Sequence, residues 1–294
     1  MHQLATSCPE ACVPDFVVNS GVLKESKTMD LELGGKHVLV TGGSKGIGLA
    51  CARGFLREGA RVSLVSREAA NLEKARAQLL AQWPDAASRI ACIAADLKQP
   101  AEAARALAEA EAAHGPVDVL VNSAGAAQRT VPEELDAQAW HDAMDAKYFT
   151  YVHMIDPVVK KMGARGTGAI VNVVGAGGKT PSAYHLPGGA ANAALMLVSA
   201  GLAVAYGPKG VRVNAINPGA TVTERLTSGL EVSARMSNIT PEEALARATR
   251  EVPLGRLAQP EEIADAVLFL ASARASYVTG VVLSMDGASR PMVV

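Results

Sequence analysis

The glycines of Thr41-Gly42-Gly43-Ser44-Lys45-Gly46-Ile47-Gly48 stand between an apolar, strand-like run and a helical pattern. A strand-to-helix turn of this kind brings the backbone close to a pyrophosphate and points the positive end of a helix at it. Gly42, Gly46 and Gly48 give the turn its freedom, and Ser44, Lys45 and Ile47 complete the cradle. A glycine triad alone is a weak signal, because Gly-rich turns are common in α/β proteins; the strand before it and the helix after it make it more specific. Redox chemistry beside such a nucleotide also needs a group that moves a proton. Of Tyr148, Tyr151, Tyr184, Tyr206 and Tyr277, none has a lysine four residues later.

The end of the second strand selects between nicotinamide dinucleotides. An acid there would bind the ribose 2′-hydroxyl of NAD. This chain carries Ser66 and Arg67 instead, with Lys45 in the glycine turn. Two cations and no carboxylate suit a 2′-phosphate through charge-assisted bonds. The reading is therefore NADP(H) rather than NAD(H). The competing explanation is that Lys45 and Arg67 are ordinary solvated charges.

These residues need a scaffold, and the rest of the chain supplies the pattern of one. The chain has 294 residues, 49% of them apolar, and a formal net charge of -1. Such a balance gives no reason to expect nucleic acid or an anionic membrane as a partner. The apolar stretch from Ala193 to Tyr206 carries Gly and Ser and is read as too short for a bilayer span, so no transmembrane helix is expected. Cys51 and Cys92 fall in a helix and a strand, and Cys8 and Cys12 in a loose leader. No zinc-like spacing of Cys and His is present, so no metal site is expected and the thiols read as reduced, in a cytoplasmic protein.

Residues 1–28 lack periodicity and read as a flexible N-terminal extension; they have no basic and apolar regions in the order of a secretory signal. Residues 29–294 read as one domain. Strands are expected at 37–41, 61–66, 90–94, 117–122, 169–174, 211–216 and 281–285. Helices are expected near 46–58, 68–82, 101–114, 136–162, 189–207 and 261–272. Continuous apolar strands alternating with helices imply an α/β fold: a single-domain, doubly wound parallel sheet with helices on both faces.

With the later motifs added, the chain after Met29 resembles the short-chain dehydrogenase/reductase family, whose fold is Rossmann-like. Asp96 and Leu97 follow the third strand, where the family meets the adenine. Asn122-Ser123-Ala124-Gly125 matches its Asn-Asn-Ala-Gly segment with one change. Asn217-Pro218-Gly219 with Thr223 resembles its nicotinamide loop. Pro253-Leu254-Gly255-Arg256, Pro260-Glu261-Glu262-Ile263-Ala264, Thr279-Gly280 and Asp286-Gly287 resemble its C-terminal part. The resemblance implies cofactor contacts from Asn122, Ala124, Gly125, Pro218, Gly219 and Thr223.

It also implies a Ser, Tyr, Lys and Asn group that reduces carbonyls or oxidises alcohols. The segment Pro208-Lys209-Gly210-Val211-Arg212-Val213-Asn214 fixes the register. The Lys position is then Asn192, the Tyr position Gly188 and the Ser position Gly175; Trp140 sets Lys147 in the Asn position. All four are changed. Gly175 and Gly188 can neither donate a proton nor bond a substrate oxygen, and Asn192 should hold the nicotinamide ribose less firmly.

A rewired site would draw on Lys147, whose ammonium could enter the space near Asn192, and on Tyr184 or His185 as proton donor, with Lys179 a weaker choice. An imidazole titrating near ~6.5 suits transfer at neutral pH; Tyr184 better mimics the lost phenol. Each alternative also has a plain reading as a packed or solvated side chain. Three functions are compatible with this pattern: an NADP(H)-dependent oxidoreductase of an unknown small-molecule alcohol or carbonyl, a non-catalytic NADP(H)-binding or sensing protein, and a non-redox lyase or hydratase. Residues 221–252 read as the segment that closes over substrate. The helix from Ala190 to Tyr206, apolar on nearly every face, points to burial against another subunit, so a homodimer or homotetramer is expected.

Overall fold

Seven apolar runs form the strands: β1 His37–Thr41, β2 Arg61–Ser66, β3 Ile90–Ala94, β4 Val119–Asn122, β5 Gly168–Val173, β6 Val211–Pro218 and β7 Val282–Met285. The computed structural model describes residues 29–125 and 130–292, and Leu31–Val294 forms one compact unit. The expected extension over residues 1–28, with Cys8 and Cys12, lies outside the described residues. The strands make one parallel sheet in the order β3-β2-β1-β4-β5-β6-β7. Between β1 and β4 the winding reverses, which opens a crevice at their C-terminal ends.

Both sheet faces are apolar because both are covered. Val38, Val40, Val62 and Leu64 pack with α1 Gly46–Arg57, α2 Ala69–Gln82 and α9 Pro260–Ala271. Leu39, Val65, Leu120 and Ile170 face the other way, toward α3 Pro100–His114, α5 Thr150–Arg165 and α6 Leu186–Tyr206. The predicted helix 136–162 is interrupted. It consists of α4 Ala137–Ala143, a π turn Met144–Phe149 and α5. Residues 224–250 fold into α7 Glu224–Ser237 and α8 Pro241–Arg250.

A polar ladder crosses the middle of this apolar sheet. Thr41 Oγ1 donates to Asn122 Oδ1 at 3.1 Å, Asn122 Nδ2 to Asn172 Oδ1 at 3.0 Å, and Asn172 Nδ2 to Ser199 Oγ at 2.9 Å. Ser199 Oγ in turn donates to Leu195 O at 2.6 Å within α6. Thr41 is the register partner of Asn122, and Asn122 of Asn172, so one row of side chains joins β1, β4, β5 and α6. All four are fully buried.

Helix α6 corrects one expectation. Its 21 residues lie in a segment with an 18-residue stretch of mean hydropathy 1.6, the length and composition of a membrane span. Its inner face, however, carries Ala191, Leu195, Ser199 and Ala203 into the core, where Ser199 bonds β5, as in a core helix. Its outer face lines up Ala190, Ala193, Leu197, Gly201 and Val204 on the surface.

Ser199→Ala removes the acceptor of a buried amide donor, a loss of about 1–3 kcal/mol. A corresponding drop in unfolding free energy, read from the denaturation midpoint at unchanged slope, is the expected result.

Candidate active site

The crevice is walled by the glycine turn on one side and the segment after β4 on the other. Gly42 has φ +67, and a Cβ there would stand 2.8 Å from the Ala124 backbone. A Cβ at Gly48 would collide with the Gly42 carbonyl oxygen. Both positions therefore require glycine, and the first turn of α1, with Ile47 half-buried in it, lies against the turn. No side chain caps the N-terminus of α1, so its first amides are available to an anion.

At the end of β2, Ser44 Oγ donates to Ser66 Oγ at 2.9 Å. Arg67 is exposed, and its guanidinium makes no ion pair or hydrogen bond among the described residues. Lys45 Nζ lies 3.0 Å from Glu224 Oε2, a pair that sequence reasoning missed. Asp96 accepts from the Lys98 amide at 3.1 Å, closing a turn after β3. The Leu97 side chain is buried in the core, and its carbonyl oxygen lies 2.9 Å from His153 Nδ1.

The structure refines several of the expected contacts. The Asn122 amide is consumed by the ladder, which makes it a positioning group rather than a ligand. Gly125 lies beside the π turn, against the Ala146 carbonyl. Pro218 is buried at the end of β6, and Gly219 bonds the Met285 carbonyl at 2.9 Å. Thr223 caps α7 by accepting from the Leu226 amide at 3.4 Å.

The other half of the site is rich in glycine, at 175, 177, 178, 188 and 189. Gly175 adopts φ 131 and ψ 142, a region that disfavours a Cβ. Its amide donates to Asn217 Oδ1 at 3.3 Å. A serine cannot be reinstated at 175 without reshaping the loop. Gly188 is buried in the first turn of α6. Asn192 is buried too, and its Oδ1 has no hydrogen-bond partner among the described residues. A Cβ built at Gly177 would lie 3.2 Å from His185 Cδ2 and 3.6 Å from Asn192 Nδ2. His185 and Asn192 thus meet at Gly177. Tyr184, 46% exposed, is turned further toward solvent. A hollow of about 210 Å³ opens beside His185, bordered by Lys179, Ser182 and Ala193. Lys179 itself is drawn toward β7, 3.2 Å from Ser284 Oγ.

Lys147 goes elsewhere than the space near Asn192. Its Nζ donates to Tyr151 Oη at 2.8 Å and to Val173 O at 3.1 Å. Tyr151 Oη also donates to Val173 O, at 2.5 Å. The π turn sets Lys147 inward, beneath the end of β5. Burial, reinforced by the Arg225 charge, pushes its ammonium down to about 7; burial pushes the Tyr151 phenol up. The sequence signal for this pair is a Lys four residues before a Tyr, the reverse of the order expected of the family.

A nicotinamide dinucleotide phosphate fits these residues. The glycine cradle and uncapped α1 would take its pyrophosphate, and Ser44, Lys45, Ser66 and Arg67 a 2′-phosphate. The Asn192 Oδ1, buried without a hydrogen-bond partner among the described residues, is left open to a donor from a ligand. Among the described residues no cluster of metal-ligating side chains occurs.

Known proteins share this architecture. Residues 42–288 match the family described as Enoyl-(Acyl carrier protein) reductase. A 3alpha-hydroxysteroid dehydrogenase from Mediterraneibacter gnavus is 34% identical over 266 residues, covering 89% of this chain and 100% of the relative. A galactitol 2-dehydrogenase (L-tagatose-forming) from Cereibacter sphaeroides is 37% identical, over 87% of this chain and 95% of the relative. The crystal structure of L-sorbose reductase from Gluconobacter frateurii, complexed with NADPH and L-sorbose, superposes with a TM-score of 0.83 at 30% identity, covering 90% of this chain and 100% of that one.

Because the Lys147 ammonium is held down to about 7 in the fold and titrates near ~10.4 when unfolded, the unfolded chain binds more protons between those values. Stability should rise as pH increases through that window. Denaturation midpoints measured from pH 7 to 10 should show this limb in the wild type and a flatter one in Lys147→Met.

Proposed function

Since this chain belongs to the short-chain dehydrogenase/reductase family, we propose that it is an NADP(H)-dependent oxidoreductase of a small alcohol or carbonyl compound, with His185 as its proton-transfer group. The observation that carries this reading is the meeting of His185 and Asn192 at Gly177, beside the positions emptied of Ser, Tyr and Lys. Bound in the cradle, the cofactor would supply or take up the hydride. Ser44, Ser66, Lys45 and Arg67 hold a 2′-phosphate, and no acid at the end of β2 repels it. Asn192 Oδ1 would accept a hydrogen bond from a ribose hydroxyl of the bound cofactor. His185 holds the substrate oxygen and gives it a proton in reduction, or takes one in oxidation. Lys147 and Tyr151 act from below as positioning residues, fixing the end of β5 through Val173.

The relatives named above act, by their names, on a hydroxysteroid, galactitol and L-sorbose, so polyols, ketoses and hydroxysteroids are the substrates to test first. With NADPH and a ketone from that panel, His185→Ala should lower kcat at least about 100-fold while the Kd for NADPH stays within about twofold. Loss of NADPH binding together with kcat would remove His185 from the proton path. Tight NADPH binding by the wild type without turnover on any of the panel would instead assign a sensing role.

We also propose that the protein is a homodimer or homotetramer in which a second copy covers the outer face of α6. Leu197 is 76% and Val204 80% exposed there, in line with Ala190, Ala193 and Gly201, an apolar stripe of the kind that marks an interaction surface. Introducing Leu197→Glu and Val204→Glu together should shift the protein to monomer in size-exclusion chromatography with light scattering.

A further inference from the structure

The cap and first residues of α7 reach both walls of the crevice. The Thr223 methyl would lie 3.3 Å from a Cβ at Gly46. Glu224 Oε2 pairs with Lys45 Nζ at 3.0 Å, and Arg225 Nη2 donates to Gly125 O at 2.9 Å. Three consecutive residues therefore run from the glycine turn after β1 to the segment after β4, across the place where a dinucleotide would lie. The middle one presents a carboxylate to an ammonium of the glycine turn. A carboxylate and a phosphate are rivals for one ammonium, since each is an anion that a lysine bonds through charge-assisted contacts.

We propose that Glu224 is a specificity-determining residue of the cofactor site: its carboxylate competes with the 2′-phosphate of NADP(H) for Lys45, and so weakens the binding of that cofactor relative to NAD(H). The proposal rests on the assignment of Lys45 to the 2′-phosphate made above. A cofactor without that phosphate leaves the Lys45–Glu224 pair intact. One that carries it must draw Lys45 away, and also brings negative charge near Glu224. Because Glu224 sits between Thr223 and Arg225, withdrawal of Lys45 also loosens one fastening of the segment that spans the crevice. The 2′-phosphate is then both bound and reported to α7.

The pair is exposed on both sides, with side chains 53% and 79% accessible, so its effect is small and sensitive to salt. The test is titration of the full-length protein with NADPH and with NADH at low and high ionic strength. Glu224→Gln should lower the Kd for NADPH about two- to fivefold, the range that one exposed ion pair supplies. The Kd for NADH should not change, and the gain should vanish at roughly 0.5 M salt. In a Lys45→Ala background, which by itself weakens NADPH but not NADH, Glu224→Gln should have no effect. An equal change for both cofactors, or no change for NADPH, would overturn the proposal while leaving the function above intact. If Lys45→Ala leaves NADPH affinity unaltered, the assignment of Lys45 fails and the proposal with it. Failure of the wild type to bind either dinucleotide overturns the functional reading itself.

Discussion

The buried row Thr41, Asn122, Asn172 and Ser199 is the constraint on which the site depends. An amide inside an apolar sheet is tolerated only when its polar atoms are paired, and here each partner belongs to a different element. Sliding any strand by one residue would turn its member to the opposite face and orphan the next. The row thus locks β1, β4, β5 and α6 in register just below the strand ends. The residues immediately C-terminal to each strand member belong to the site: Gly42 after Thr41, Ser123 to Gly125 after Asn122, and, a little further on, Gly175 to Gly178 after Asn172. Asn192 stands two turns before Ser199 on the same helix. Apolar residues in that row would hold the sheet together but not its alignment.

Above that row the two halves of the crevice obey different physics. The cradle is made by backbone: collisions that forbid side chains at Gly42 and Gly48, and uncapped amides at α1. Such a surface recognises a phosphate by shape and dipole and depends little on individual side chains. The opposite half is lined instead by Gly175, Gly177 and Gly188 with Asn192 and His185. Lys147 stays out of this half, because its ammonium is committed to Val173 and Tyr151 below the floor. Glycine at 177 leaves room for the His185 ring, which would lie 3.2 Å from a Cβ there.

Most of the scaffold is legible in the sequence. The strand limits lie within about two residues of those expected, because continuous apolar runs flanked by Gly and polar turns admit few alternatives. The cradle is legible for the same reason: its glycines answer to backbone geometry. Contacts between distant side chains are not. Nothing in the order of residues couples Lys45 to Glu224, 179 positions apart. The role of Asn122 differs from the expected one because a motif does not reveal whether an amide faces the crevice or the sheet. The π turn reads as plain helix, since its residues have no periodicity that distinguishes it. Length and hydropathy of α6 are underestimated in a reading by residue type, because Gly and Ser within it look like interruptions.

The π turn at Met144–Phe149 has an implication for how this chain tolerates change. A π turn holds one residue more than an α turn, so helices on either side of it are offset by about 100° relative to an uninterrupted helix. Excising a single residue there would restore local regularity, yet it would rotate Tyr151, Met154, Val158 and Met162 off the sheet. Insertions or deletions between Trp140 and Tyr151 are therefore expected to be far more disruptive than those in the exposed connection between α7 and α8. The irregular turn is fastened through its own Lys147, which bonds Tyr151 and the Val173 carbonyl, and by the helix packed downstream of it.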